Sequence, residues 1–577
     1  MNAISLKTAG DRLLVPRPHL PVGRAAPGGR APLHRTDPAR RGWMIALALL
    51  VVATFLIRAR YYGNPFIDVD EEFYLLVGDR MLHGAIPYVD IWDRKPVGLF
   101  LIYAAIRLLG GDGIVQYQLV ASAFAAATAV MIAITARRIA PPGAALVAAL
   151  AYVPALAMNG GAGGQTPVFY NLPMAVAAWL ILDLVMRPSS VARIRARGLA
   201  AMLLVGVAMQ IKYSAVFEGV YFGLALMWLS WRQAPRRAGL MLDTALWAGI
   251  ALLPTTIAFA CYAGMGEAHA FLYANFTSIC ARGAVGFNHQ MHDLRHIAMR
   301  MLPFALPILI GEWLLRAHGR TWLRQGGGRA AHAFLIGWLL AAIVGFAAFG
   351  TFFNHYVLPL LVPLAIVAAP TFAIRYRRAG TVMAAVTLLG LFIPYPLNAA
   401  KNERRHGTAA LAREMTAQIA PRLHGRCLYV FYGAPILYQL TQSCLPTRWA
   451  FPFHLSLTRE APALGGQAPA EVRRIMAARP PVVVDRLTDD DEVNVPIQQM
   501  VRADLARDYR LAWSHRYHHG GGVDQIWVLR DRGTGEVAGS FAHPRDDGVD
   551  VHPAVLLPPA RPRPDVQTAI ADGRQRG

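Results

Sequence analysis

Negative charge is scarce in this chain. Its 577 residues include 35 Asp and Glu against 57 Lys and Arg, a formal net charge of +22. Charged residues make up only 16% of the whole, where a typical soluble chain carries roughly 25%. So few charges cannot cover the surface of several soluble domains, and a hydrophobic fraction of 55% excludes a disordered chain. Cysteine is rare as well. Its four residues show no metal-ligand spacing and exclude a disulfide-framework protein. Lysine is as scarce, confined to Lys7, Lys95, Lys212 and Lys401. The basic residues are dispersed between apolar runs rather than gathered on one face, which argues against nucleic acid as a partner. No internal repeat is evident. What the chain has in quantity is long apolar runs, and the lipid bilayer is its first expected partner.

A membrane-spanning helix needs roughly 20 predominantly apolar residues. About eleven runs qualify on that measure: 43–60, 113–136, 143–158, 172–186, 198–211, 214–231, 241–263, 297–315, 331–349, 356–374 and 380–396. The run 97–109 is shorter and reads as a re-entrant or interfacial helix. Arginine placement tests this division, because cytoplasmic loops carry the positive charge. The N-terminal tail holds Arg24, Arg30, Arg35, Arg40 and Arg41. Alternate loops hold Arg137/Arg138, Arg187/Arg193/Arg195/Arg197, Arg232/Arg236/Arg237, Arg316/Arg320/Arg324/Arg329 and Arg375/Arg377/Arg378. All fall on one side only if 97–109 does not cross.

The expected fold is therefore mainly α: a polytopic helical bundle with a C-terminal extracytoplasmic α/β domain. Residues 1–42 form a basic cytoplasmic tail, so the first span acts as an uncleaved anchor. Residues 43–396 are the membrane domain, with a first outer loop at 61–96. Residues 397–531 have soluble composition, with β-like runs at 427–432, 481–485, 511–517 and 525–529 and helices at 408–422 and 468–478. Residues 532–577, rich in Pro, Arg, Asp and Gly, form a disordered tail. Cys427 and Cys444 lie in the exported part, where a disulfide is permitted. Cys261 and Cys280 offer a second pairing. His515, His518 and His519 flank Tyr517, but without Cys or carboxylate at ligand spacing they read as a solvated loop.

The loop 61–96 is the least loop-like part of the chain. It gathers Asp68, Asp70, Glu71, Glu72, Asp79, Asp90 and Asp93 in a protein poor in acids. A helix is expected over 71–82, with Tyr74, Leu75, Val77, Met81 and Leu82 on the membrane surface. Asp70 reads either as its N-cap, with Glu71 and Glu72 complementing the dipole, or as a general base with a second carboxylate tuning it. Next comes Asp93-Arg94-Lys95-Pro96 at the start of 97–109. Proline suits a first helical turn, but a lysine there opposes the dipole. Lys95 is thus either a partner of Asp93 or Asp90, or an ammonium for a phosphate at a helix start. Lys212 and Glu218 are charges at and within spans, either mutually paired or functional. Phe353-Asn354-His355-Tyr356 sits at another outer helix mouth, as an aromatic belt with a capping Asn or as a ligand group. Asp183, Asp243 and Glu312, near the opposite ends, read as structural, and Trp43 and Tyr61 as belt residues.

Taken in order, Asp70-Glu71-x-x-Tyr74, Gly84-x-x-Pro87-Tyr88-x-Asp90 and Asp93-x-Lys95-Pro96 resemble the first outer loop of GT-C glycosyltransferases. Nearest in pattern are the protein O-mannosyltransferases, the aminoarabinose transferases of lipid A and enzymes that glycosylate lipopolysaccharide cores. Gly206 to Lys212, and His355-Tyr356 through Pro363, resemble weaker family signatures. The resemblance spans 43–396. It implies a membrane glycosyltransferase that moves a sugar from a polyprenyl-phosphate donor to a glycolipid, glycan or protein acceptor of the cell envelope. By carry-over Asp70 is the catalytic acid of the pair with Glu71. Lys95 lies near the lipid phosphate, joined by Lys212 and His355, with Asp68, Tyr74, Tyr88, Asp93 and Tyr356 as further site candidates. The expected location is the inner (plasma) membrane. No cofactor is assigned, and a divalent metal stays open. Two departures stand out. The family's Lys-Pro-Pro is Lys95-Pro96-Val97 here. Where many relatives carry an acid after the second outer loop, this chain has Gln165-Thr166-Pro167, so a second acid must come from Glu71, Asp68 or elsewhere. The alternative function is a transporter or lipid flippase with Lys212 and Glu218 as midplane charges, but a transporter should concentrate its polar residues inside the spans rather than in one loop.

This topology predicts that single cysteines at Arg80 and Ala450 react with an impermeant thiol reagent in intact cells, whereas cysteines at Arg195 and Arg320 do not. Labelling at 195 without labelling at 450 would invert it.

Overall fold

The computed structural model describes residues 38–530 except 234–236, 284–285, 318–327, 349, 489–491 and 518–521. The basic segment before residue 38, the tail 532–577, Arg320, Arg324, His518 and His519 lie outside the described residues.

Nine helices among the described residues are long and apolar enough to cross a membrane. They coincide with nine of the expected runs, and the chain is a multi-pass membrane protein. The two other runs are also helical, α7 (Val191–Met209) and α8 (Ala215–Gln233). The first of these opens on three arginines and the second carries Glu218, so both are more polar than their neighbours. The bundle turns its apolar side chains outward as well as inward: Leu49, Leu56, Leu309 and Val344 are exposed, as a bilayer requires. Inside, α4 (Ile114–Ala136) packs against both α5 (Pro142–Leu156) and α6 (Thr166–Met186) through small residues. Ala121, Ala125, Ala129 and Ala133 repeat every fourth residue along α4 and are fully buried. Lipid supplies no hydrophobic drive between helices, so close backbone approach by such residues is what holds them.

Between α1 (Pro38–Arg58) and α4 the chain forms two short helices, α2 (Val69–Leu82) and α3 (Val97–Arg107). At about 1.5 Å per residue α3 reaches roughly 16 Å, half of a bilayer core. The expected surface helix is corrected here: Phe73, Tyr74, Leu75, Leu76 and Val77 are all buried, and only its end at Leu82 is exposed. Its apolar residues run all round rather than on one face, because α2 is covered on two sides. On one side lies α3. A Cβ at Gly78 would stand 2.7 Å from the Ala104 nitrogen, so only glycine allows this approach. On the other lies the C-terminal part. Arg80 donates to the Ser443 carbonyl at 2.6 Å, the Trp92 amide to Arg448 at 2.8 Å, and Phe73 packs on Phe451 at 5.1 Å.

That C-terminal part holds a four-stranded sheet in the order β1-β2-β4-β3. Strands β1 (Tyr429–Val430) and β2 (Val482–Leu487) are parallel, and β4 (Val523–Leu529) pairs antiparallel with β2 and with β3 (Tyr509–Arg516). The expected strands and the helices Ala409–Ile419 and Ala468–Ala477 are present. A third helix, Val495–Asp508, went unread because its polar residues blur any stripe. Cys427 and Cys444 form a disulfide, whereas Cys261 and Cys280 are free and exposed, which corrects the second pairing. His515 stacks on Trp513. Tyr61 is buried edge-on to Tyr395 rather than placed in a belt.

Since the α2–α3 contact leaves no room for a side chain, Gly78→Val should destabilise the protein by about 1–3 kcal/mol. Thermal melts of detergent-purified protein measure it. A Gly78→Val melt equal to wild type would mean that α2 and α3 do not pack this closely.

Candidate functional site

The start of α2 organises the site. Asp68, not Asp70, is the N-cap: its Oδ1 accepts from the Asp70 amide at 3.0 Å. This corrects the capping reading of Asp70 and leaves that side chain free of the helix end. Asp70 Oδ2 lies 4.0 Å from the Lys95 ammonium. Lys95 also sits over the Tyr74 ring, 5.2 Å from its centre. Lys95 is thus paired across the loop with Asp70 rather than with Asp93 or Asp90. Those two serve the backbone, Asp93 accepting from the Arg94 amide and Asp90 from the Ile86 amide.

Two constraints bring Lys95 to its place. Tyr88 adopts a left-handed backbone, φ 71°, unusual for a bulky residue, and its hydroxyl donates to the Lys95 carbonyl at 2.8 Å. The start of α3 then docks on the end of α7. The Leu99 amide donates to the Gln210 carbonyl at 3.1 Å, and a Cβ at Gly98 would stand 2.6 Å from that oxygen. This contact sets Lys212, in the turn between α7 and α8, on the same side as Lys95. Lys212 lies over the Tyr356 ring at 4.1 Å, and Tyr356 packs edge-on against His355. A small cavity behind them is lined by Tyr170, Lys212, Ser214, Glu218 and Tyr356. Glu218 is buried and accepts from the Trp338 indole at 2.5 Å, and of the two readings of Lys212 and Glu218 the mutual ion pair is not formed.

The third wall is the turn 159–165, Asn-Gly-Gly-Ala-Gly-Gly-Gln. Gly160 takes φ 91° and passes so near His355 that a Cβ would come within 3.2 Å of the histidine's own. Gly163 leaves space for the Glu71 carboxylate, which a Cβ there would overlap. Arg58, fully buried at the end of α1, holds the turn by donating to the carbonyls of Gly161 at 2.6 Å and Gly163 at 2.8 Å. The turn delivers Gln165. Its Oε1 accepts from the Thr166 amide, which orients Nε2 toward the acids. Nε2 donates to Asp68 Oδ1 at 3.0 Å and to Asp70 Oδ2 at 3.1 Å. A neutral amide with two donors thus ties two carboxylates together, and the acid closest to Asp70 in this sense is Asp68.

Their environments drive these acids apart. Burial, reinforced by the adjacent Asp70 charge, pushes the Asp68 carboxyl up to about 7. Burial acts in the same sense on Asp70, but the Lys95 ammonium, together with His355 and the hydrogen bonds from Gln165 and Tyr74, outweighs it and holds this carboxyl below the ordinary range. Glu71 is raised well above its usual value by burial and by Asp68. Lys212 falls to about 7, through burial and then repulsion from Lys95. Lys95 is buried too, yet Asp70 and Asp93 raise it above its ordinary value. The result is an Asp70 carboxylate kept ionised beside a firmly charged lysine. Among the described residues no three His, Cys, Asp or Glu side chains come together as metal ligands.

Sequence reasoning missed Arg58 and Gln165. Arg58 ends an apolar run, where arginine is ordinarily an interfacial residue. For Gln165 the signal was present: an amide stood where an acid was expected.

No family model matches the chain, and no curated protein matches it either. Solved structures do. The chain is similar to ArnT from Cupriavidus metallidurans in the apo state, at 14% identity and a TM-score of 0.54, over 85% of this chain and 98% of that one. It is similar to the same protein bound to undecaprenyl phosphate, at 14% identity and a TM-score of 0.55, over 84% and 98%. The archaeal oligosaccharyltransferase AglB from Archaeoglobus fulgidus, in complex with an inhibitory peptide and a dolichol-phosphate, matches at 10% identity and a TM-score of 0.45, over 78% and 70%. The fold is that of ArnT, a GT-C fold.

The raised Asp68 carboxyl predicts a pH dependence of stability. Between its ordinary value and about 7 the folded state binds this proton and the unfolded state does not. Stability must therefore fall as pH rises through that window. Asp68→Asn keeps the capping oxygen and removes the proton, so it should flatten part of the decline in melting temperature between pH 5 and pH 8. The same slope in the variant would show that Asp68 does not hold a proton in the folded protein.

Proposed function

We propose that this chain is a glycosyltransferase of the cell envelope, taking a sugar from a polyprenyl-phosphate donor on the outer face of the inner membrane. The observation that carries the reading is the Asp70–Lys95 pair, a carboxylate and an ammonium 4.0 Å apart at the helix ends. The GT-C fold supports it, as does the undecaprenyl phosphate bound by a protein of that fold. In this reading the loop end of the bundle faces outward and the N-terminus is cytoplasmic. The acceptor is a hydroxyl of a glycolipid, glycan or protein.

The chemistry follows from the charges. Asp70, kept ionised by Lys95, takes the proton of the acceptor hydroxyl. The oxygen attacks the anomeric carbon as the bond from that carbon to the phosphate oxygen breaks, with inversion. Polyprenyl phosphate leaves carrying the electron pair, and its charge settles on Lys95 and Lys212 with His355 at the edge. Lysine suits this role, since a compact ammonium can serve Asp70 before the reaction and phosphate after it. Gln165 holds Asp70 in place while Asp68 and Glu71, raised by burial, keep further negative charge away from the phosphate.

Binding of undecaprenyl phosphate to purified protein, together with mass spectrometry of envelope glycans and glycolipids from cells carrying each variant, tests the reading. Asp70→Asn should bind undecaprenyl phosphate as well as wild type or better, because Lys95 loses its competing partner. It should lose on the order of 10²–10⁴ in transfer rate, leaving the envelope product absent. Lys95→Ala and Lys212→Ala should weaken binding with normal membrane yield. Lysine variants that bind like wild type would remove the phosphate assignment, and a wild-type product from Asp70→Asn would remove the base.

A further inference from the structure

At the opposite end of the bundle, four arginines converge on one acid. Asp183 lies in the last turn of α6 with its side chain 4% exposed. Arg138, from the turn after α4, reaches its Oδ1 at 2.8 Å, and Arg187 approaches the same oxygen at 3.8 Å. Arg193 reaches Oδ2 at 3.0 Å, and Arg197 bonds that oxygen too. One carboxylate cannot neutralise four guanidiniums, and a charge of about +3 remains among them. The helix dipole makes the excess worse. Arg193 and Arg197 occupy the first two turns of α7, where the dipole favours anions.

The depth of this cluster is marked independently. Arg138 lies over the Trp179 ring at 5.3 Å, and the neighbouring Arg137 over Trp43 at 4.6 Å. Tryptophans gather at the level of lipid headgroups, which is where phosphodiesters are available as counter-ions. Arg187 and Arg193 keep 65% and 43% of their side-chain exposure and so present donors outward, while Arg138 and Arg197 stay closer to Asp183.

We propose that this end of α6 and α7 is a binding site for the phosphate of an anionic phospholipid, with Arg187 and Arg193 as its outer contacts and Asp183 as the post that holds the cluster together. Basic pockets between membrane helices recognise anionic headgroups in this way. The proposal stands on the membrane fold alone and is independent of the transferase reading.

Native mass spectrometry of the purified full chain with phosphatidylglycerol, phosphatidylethanolamine and inorganic phosphate tests it. Wild type should retain phosphatidylglycerol over phosphatidylethanolamine. The double variant Arg187→Gln/Arg193→Gln should bind phosphatidylglycerol on the order of tenfold more weakly. Its lipid-free melt should match wild type, since Arg138 and Arg197 still pair Asp183. Equal affinity for phosphatidylglycerol in wild type and variant would overturn the proposal. So would stabilisation by inorganic phosphate equal to that by phosphatidylglycerol, which would mark a free-anion site instead.

Discussion

The site depends on a guanidinium that never touches it. Arg58 ends α1 fully buried, and burying an unpaired cation is far costlier than burying a hydrogen-bonded one. Its donors are taken up by Ser122 on α4 and by the carbonyls of Gly161 and Gly163. Those carbonyls are available only because the chain leaves α5 through a turn with Gly160 in a left-handed conformation. One satisfied cation thereby fixes three segments: the first span, the fourth helix and the turn that carries Gln165. From that turn Gln165 reaches both Asp68 and Asp70, Gly163 accommodates Glu71, and Gly160 meets His355.

Charge scarcity then acquires a spatial meaning. At the loop end the described cations divide by type. Lysines 95 and 212 meet the acid of α2 and the aromatic ring of Tyr356, whereas arginines make the load-carrying ties such as Arg107 to Asp79 at 3.0 Å. Among the described residues at the other end no lysine takes part: Asp183 is held by arginines, and Asp243 by Arg195 with the Ser230 hydroxyl. A guanidinium fork locks two partners at fixed angles, which suits a staple. An ammonium rotates among partners, which suits a group that must exchange one anion for another. The unequal use of two residues with the same charge separates what must hold still from what must respond.

Much of this was legible without coordinates, and the reasons differ by element. Spans announce themselves because a bilayer demands about twenty apolar residues whatever their order. The strands of the C-terminal sheet carry β-branched and aromatic runs such as Pro481-Val482-Val483-Val484. Asp70 and Lys95 stood out because charge of either kind is rare beside apolar runs. What the sequence hid was long-range. One of the two covers of α2 comes from residues more than 350 positions later, as with Arg80 and Ser443. The capping role passed from Asp70 to Asp68, a shift of two residues within one acidic cluster, because only geometry decides which side chain closes the helix. Glu218 takes its donor from Trp338, on a distant helix, rather than from Lys212.

The C-terminal part is the last piece of the same argument, since its soluble composition gives no hint that it reaches the site. Glu460 is 4% exposed and takes three arginines: Arg94 at 2.5 Å, beside Lys95; Arg282 at 2.8 Å, from the segment after the seventh of the eleven runs; and its own neighbour Arg459 at 3.6 Å. Arg459 continues over the Phe353 ring at 5.0 Å, and that ring stacks on His355. A buried acid with several cations is stable only while every partner stays, because losing one leaves charge uncompensated. The cluster therefore couples the position of the C-terminal part to the loop bearing Lys95 and to the helix mouth bearing His355. A polar unit placed on a membrane bundle would otherwise be free to drift. Here the ionic cluster and the covered face of α2 fix it over the site, so that the lysines, Asp70 and the aromatic mouth share one rigid frame.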